Sequence, residues 1–196
     1  MEKKKRMFFK SKYSIEEEQN IREDRFNTIS LAISIGILPP LWAVISQILG
    51  VKFGGVALVC AALFVANGNK TKDIIKISVG FFISVVWGCI ALYFIKNLPW
   101  NNSVNTFITL CSMGALAVVI ASSRLKKIIY LPSWLCGWAI TNEILSQMYT
   151  ELGIDIPISI AISMVVGVIY VGAGVLVFGK LINKLLAFIY KIDDSK

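Results

Sequence analysis

Tyr130-Leu-Pro-Ser-Trp-Leu-Cys-Gly-Trp-Ala-Ile-Thr-Asn-Glu-Ile-Leu-Ser-Gln147 reads as one membrane-crossing helix with a carboxylate inside it. At about 100° per residue, Pro132, Cys136, Ala139, Glu143 and the Ser146-Gln147 pair fall on one face. Trp134, Trp138, Thr141 and Leu145 fall on the other. A charged side chain deep in a bilayer costs about 2.5–3.5 kcal/mol on insertion scales, so such residues usually face a protein interior or a wet cavity. Glu143 is therefore the leading site candidate.

The composition around this helix agrees with a membrane protein. Of 196 residues, 56% are hydrophobic and only 16% charged, where a soluble domain approaches a quarter charged. The length holds about six spans of roughly 20 residues, each crossing about 30 Å of hydrocarbon, plus tails. The expected class is an all-α integral membrane protein, a six-transmembrane-helix bundle. A net charge of +8 would suggest nucleic acid in a soluble chain, but these basic residues sit in tails and short loops between apolar runs. Membrane topology accounts for them better, with no nucleic-acid partner. Cys60, Cys89, Cys111 and Cys136 lie within apolar runs without Cys-x-x-Cys spacing, and there is no histidine. They read as small core residues, and nothing calls for a metal or a cofactor.

Residues 1–26 form a basic arm with eight Lys/Arg, and Ser14 followed by Glu17 has capping-box spacing, which predicts a short surface helix. The arm reads as a cytoplasmic topology determinant and could also bind anionic lipid headgroups. It lacks the layout of a cleavable signal. The first span covers about 27–49 with Pro39-Pro40 at its middle, where two lost backbone donors predict a kinked or broken helix. A short second span covers about 53–67, running into the polar Asn67-Gly68-Asn69, and a third about 73–96. The fourth covers about 104–122 and the fifth is the helix quoted above. A loop with Glu151 and Asp155 leads to a last helix running from Pro157 to about Tyr190, with Asp155 as its expected cap. The bundle thus occupies 27–180, and 181–196 is the helix end at headgroup level, with Lys180, Lys184 and Lys191 on one side.

With the N-terminus inside, eighteen Lys/Arg fall on the cytoplasmic side and only Lys52 and Lys96 outside. This asymmetry predicts an N-in, C-in, six-span topology and puts Glu143 in the outer third of the membrane. The odd spans look alike. Ile33-Ser34-Ile35-Gly36 precedes Trp42 as Ile77-Ser78-Val79-Gly80 precedes Trp87. The fifth span shares Leu-Pro and Ser-Gln with the first. One helical hairpin used three times, with small-residue faces turned toward a common axis, accounts for this. The faces are Gly36/Pro39/Ala43/Gln47 and Gly80/Ser84/Gly88/Ala91.

Gly174 to Lys180 carries most of a phosphate-binding loop, but Leu181 stands where Ser or Thr should hold magnesium. With no zinc-binding histidines and no nucleophile elbow, an enzyme reading has no support. The combination of Ile-Ser-Ile-Gly-Ile-Leu and Leu-Trp-Ala-Val in span one, Val-Val-Trp-Gly in span three and Leu-Pro-Ser-Trp-Leu-Cys-Gly in span five resembles the YcdZ-like family of small bacterial inner-membrane proteins. The resemblance covers roughly 28–180 and implies a multi-pass protein of the bacterial cytoplasmic membrane, without a known function or catalytic residues. Three hairpins in six spans also resemble the architecture, though not the motifs, of the urea/amide channels.

The first functional expectation is a channel or facilitator for a small, mostly uncharged polar solute. Glu143, Asn142, Gln47 and Ser46 would form a polar constriction, Trp42, Trp87 or Trp138 would narrow it, and Pro39, Pro40 and Pro132 would shape the helices along the path. Two other readings stand beside it: a proton-coupled transporter using Glu143, and a non-transporting scaffold working through its basic arm. The sequence leaves open whether copies associate into a homo-oligomer.

Overall fold

The computed structural model describes residues 2–68, 70–148 and 153–193. The sequence expectations for Asn69, Glu151 and residues 194–196 lie outside these. All regular structure among the described residues is helical: α1 (Glu2–Ile48), α2 (Val56–Ala66), α3 (Ile74–Asn97), α4 (Asn102–Ser122), α5 (Leu131–Gln147), α6 (Asp155–Val166) and α7 (Gly174–Asp193). Short 3-10 turns precede α3 and α5, and a π-helical segment, Gly167–Ala173, joins α6 to α7 without a break. The expected second to sixth helices match α2, α3, α4, α5 and α6–α7 to within a few residues, while α1 ends where expected but begins far before residue 27.

Four stretches among the described residues are long and apolar enough to cross a membrane: Asp24–Ile48, Thr71–Asn97, Asn102–Ser122 and Asp155–Leu186. The other two expected spans are shorter. At 1.5 Å per residue, the 11 residues of α2 reach only about 17 Å and the 17 of α5 about 25 Å.

Three local expectations are corrected. Ser14 starts no helix, because α1 is continuous from Glu2 to Ile48. The same helix runs unbroken through Pro39-Pro40. Proline removes a backbone donor, but its fixed φ near −65° is itself helical, so the expected break is absent. Asp155 is the first residue of α6 rather than its capping residue, which is Ile154, and the Asp155 carboxylate pairs with Lys52 at 2.9 Å.

The chain divides into two compact units, Met1–Ile37 with Val175–Lys196, and Leu38–Gly174. In the first, Asn183 Nδ2 donates to Asn27 Oδ1 at 2.6 Å. Ser30 and Ser34 are buried there, and Gly179 leaves room for them: a Cβ on it would lie 3.5 Å from Ser34 Oγ.

In the second unit, α3 is the central helix, packing closely on α4, α5 and α6. Its tightest seam is with α5, where Gly80, Ser84 and Gly88 mesh with Ser133, Gly137 and Thr141. Both stripes repeat every four residues, the spacing that lets two helix backbones approach. A Cβ on Gly88 would lie 2.5 Å from Thr141 Cγ2, and one on Gly137 would lie 2.8 Å from Phe81 Cδ1. The Gly80/Ser84/Gly88/Ala91 face is thus consumed by contact with α5 and is not turned toward a shared axis. On α1, Gly36, Ala43 and Gln47 are exposed, and α1 is not among the closely packed helix pairs of the described residues.

Two apolar clusters complete this unit. Between α3, α4 and α5 lie Ala91, Met113, Ala117, Ala121, Trp134 and Trp138. The other joins α2 to α6 and the π-helical segment through Cys60, Phe64, Ile160, Met164 and Val168, all fully buried. Gly167 packs directly on the Ala57 backbone there.

Candidate functional site

The carboxylate of Glu143 sits where three helix ends meet. The C-terminal part of α3 supplies Leu92 and Ile95, the first turns of α4 supply Asn102, Thr106 and Leu110, and α5 supplies Trp138, Ala139, Asn142, Glu143 and Ser146. Together they line a groove of about 590 Å³. This is the end of the three helices opposite the basic turns at Lys72–Lys76 and Arg124–Lys127.

Local chemistry explains the groove. Asn101 caps α4, its side chain accepting from Val104 N at 2.9 Å. Asn105, almost fully buried, donates from Nδ2 to the carbonyls of Ile95 (3.1 Å) and Leu98 (2.9 Å). These bonds tie the first turn of α4 to the end of α3 and fix one wall. On α5, the stripe Ser133/Gly137/Thr141 is buried in the α3 seam, which turns the face bearing Ala139, Glu143 and Ser146 outward. Glu143 is exposed; its Oε1 accepts from Gln147 Nε2 at 2.5 Å, one helical turn on, and its carbonyl accepts from Ser146 Oγ at 2.9 Å.

Of the two settings expected for a membrane carboxylate, a protein interior or a wet cavity, Glu143 takes the second form within one chain: it lines an open groove, while the tryptophan face of α5 is the buried one. The partition follows from helix approach. Small residues at every fourth position admit α3 closely, and Trp134 and Trp138 flanking that stripe then fill the space toward α4.

Of the residues named from sequence, the groove brings together Glu143, Asn142 and Trp138. Trp87 packs edge-on against Trp134, ring centres 5.2 Å apart, in the cluster beside it. Gln47, Ser46 and Trp42 are not among the groove residues. Trp42 Nε1 donates to the Gly54 carbonyl at 3.1 Å, and its ring lies 6.1 Å from that of Tyr170. Ser46 is buried against Gly54 with its hydroxyl donating to Ala43 O, and Gln47 is exposed. These α1 residues hold the α1–α2 turn, so they form no constriction with Glu143 in the groove. Pro39 is buried, Pro40 exposed, and Pro132 lies exposed in the first turn of α5, at the far end from Glu143.

Sequence reasoning passed over the α4 wall. Asn102 and Thr106, four residues apart and followed by Leu110, make a stripe on one helix face that could have been read from spacing. Among the described residues no cluster of His, Cys, Asp or Glu could hold a metal ion.

A family model described as "Protein of unknown function (DUF1097)" matches residues 32–180. The chain belongs to the DUF1097 family. The DUF1097 match takes in every groove residue and leaves the basic arm outside it. Comparisons with curated proteins and with solved structures returned no match. This DUF1097 chain is thus a helical protein of membrane character from an uncharacterised family.

Proposed function

We propose that this protein is a membrane channel or facilitator for a small, mostly uncharged polar solute, with the Glu143 groove as its outer mouth. In this reading α2 and α5 are short crossing segments of a six-span, N-in, C-in bundle in a bacterial cytoplasmic membrane. The observation that carries it is the groove itself: about 590 Å³, apolar walls, and a small set of convergent polar groups from Glu143, Asn142, Asn102, Thr106 and Ser146. Sites for small molecules have this size and this mixture. Amides and hydroxyls exchange hydrogen bonds with an uncharged solute as water does, so entry costs little desolvation. Glu143 repels anions, and among the described residues no lysine or arginine lines the groove to offset it.

The test is solute entry into liposomes containing the purified protein, followed by stopped-flow light scattering with a panel of small amides and polyols. Wild type should re-equilibrate at least one of them faster than protein-free vesicles, with Glu143→Gln and Glu143→Ala slowing it several-fold. Equal rates in all three proteins would remove Glu143 from the account. Transport that requires an imposed pH gradient and loses that requirement in Glu143→Gln would replace the facilitator with a proton-coupled transporter.

A further inference from the structure

A second cavity, of about 420 Å³, lies at the opposite end of the same three helices, where α3 begins, α4 ends and α5 begins. Its polar lining comes from Asn67, Asp73, Lys76, Ser122, Lys126 and Tyr130, and its apolar lining includes Ala121, Ile129 and Leu131. The polar groups are arranged. Asp73 is engaged within the protein, accepting from Asn67 Nδ2 at 3.2 Å and lying 3.5 Å from Lys76 Nζ. Lys126 and the Tyr130 hydroxyl have no partner among the described residues. The lining therefore presents two ammonium groups against one carboxylate, with an ammonium and a phenol left to donate. The loops that carry it add Lys70, Lys72, Arg124 and Lys127, all exposed.

The cavity's backbone is as built as its side chains. Tyr130 N donates to the Lys76 carbonyl at 3.3 Å, and a Cβ on Gly80 would lie 2.9 Å from the Tyr130 carbonyl. The start of α5 is thereby fixed against α3, and the distance between Lys76 and Tyr130 is set by the fold rather than by two free loops.

An occupant must carry negative charge at one end and apolar matter at the other. By the charge asymmetry this end of the helices is cytoplasmic, at headgroup level. Basic pockets between membrane helices at that level receive lipid headgroups. We infer that the cavity binds the phosphate diester of an anionic phospholipid from the inner leaflet. Lys126 and Tyr130 donate to the phosphate, Lys76 lies beside it, and Ala121, Ile129 and Leu131 lie along the glycerol and first methylenes. This site is separate from the Glu143 groove, and nothing about it depends on solute transport.

The experiment is lipid retention by the full chain in mild detergent, read by native mass spectrometry after incubation with phosphatidylglycerol or phosphatidylcholine. Wild type should retain phosphatidylglycerol over phosphatidylcholine. Lys126→Ala should reduce that retention at least fivefold, and Lys127→Ala, which removes an equal charge from a neighbour outside the lining, should leave it within twofold. Ser122→Trp fills the cavity from an exposed lining position without changing charge and should act like Lys126→Ala. Equal losses in Lys126→Ala and Lys127→Ala, or equal retention of the two lipids, would overturn the site. Displacement of phosphatidylglycerol by millimolar inorganic phosphate would overturn the lipid assignment in favour of free phosphate.

Discussion

Replacing Gly167 with alanine tests the packing that holds the larger unit together. Gly167 opens the π-helical segment, and a Cβ there would overlap the Ala57 carbonyl oxygen and lie 2.6 Å from Ala57 Cα. Ordinary contact starts at 3.4 Å, so the two segments must part by about 1 Å to clear that oxygen. The obstructing atoms are backbone and cannot rotate aside. Separation would loosen the same seam at Cys60 and Phe64, both fully buried. Overpacking of this kind costs about 1–3 kcal/mol, and the better helix propensity of alanine returns up to about 1 kcal/mol. Because the obstruction is backbone, the upper part of that range, about 2–3 kcal/mol, applies, and a net loss of at least about 1 kcal/mol is expected. Gly36→Ala is the internal comparison, because among the described residues no atom beyond its chain neighbours and its own helix backbone lies within 4 Å of a Cβ at that position. It should be neutral or gain up to about 1 kcal/mol. Both are read by circular dichroism as sodium dodecyl sulfate is titrated into protein in mild detergent. If Gly167→Ala unfolds at or above the wild-type midpoint, alongside Gly36→Ala, the close approach of α2 to this segment is wrong.

Asn105→Ala should lose about 1–3 kcal/mol in the same titration, since it leaves the Ile95 and Leu98 carbonyls without their shared donor. It should also slow solute entry by loosening the groove wall. Topology is tested by single cysteines in a background with Cys60, Cys89, Cys111 and Cys136 replaced. A membrane-impermeant maleimide should label Asn102→Cys from outside intact cells and Lys126→Cys only after permeabilisation. Labelling of Lys126→Cys from outside would invert the orientation and move the groove to the cytoplasmic face.

Helix positions were legible because apolar runs and their polar ends are local properties. Asn101, Pro132 and the Gly50 turn punctuate the chain where the helices do stop and start. What a helix face touches is not local. The stripe Gly80/Ser84/Gly88 has the same spacing whether it lines a cavity or admits a neighbour, and only the matching stripe on α5 decides between them. The burial of Trp134 and Trp138 is equally non-local, because they fill the space beside a close helix seam that the α5 sequence alone does not show. Pro39-Pro40 announced a break through their missing donors, yet their φ is compatible with the helix that forms. In the groove, one carboxylate drew the eye to α5, while the wall from α4 was written only in the unremarked spacing of Asn102 and Thr106. The pairing of Lys76 with Asp73 was within reach, being three residues apart, but the approach of Lys126 and Tyr130 to them needed the folded chain.

The most direct measurement of the central proposal is flux through the Glu143 groove when it is filled. Ala139 is exposed on its α5 wall, one turn before Glu143, so Ala139→Trp occupies the mouth without entering the core. Stopped-flow entry of the best-transported solute into liposomes should fall in Ala139→Trp to the protein-free rate, with detergent unfolding unchanged. Flux equal to wild type in a correctly folded Ala139→Trp protein would contradict the groove as the route.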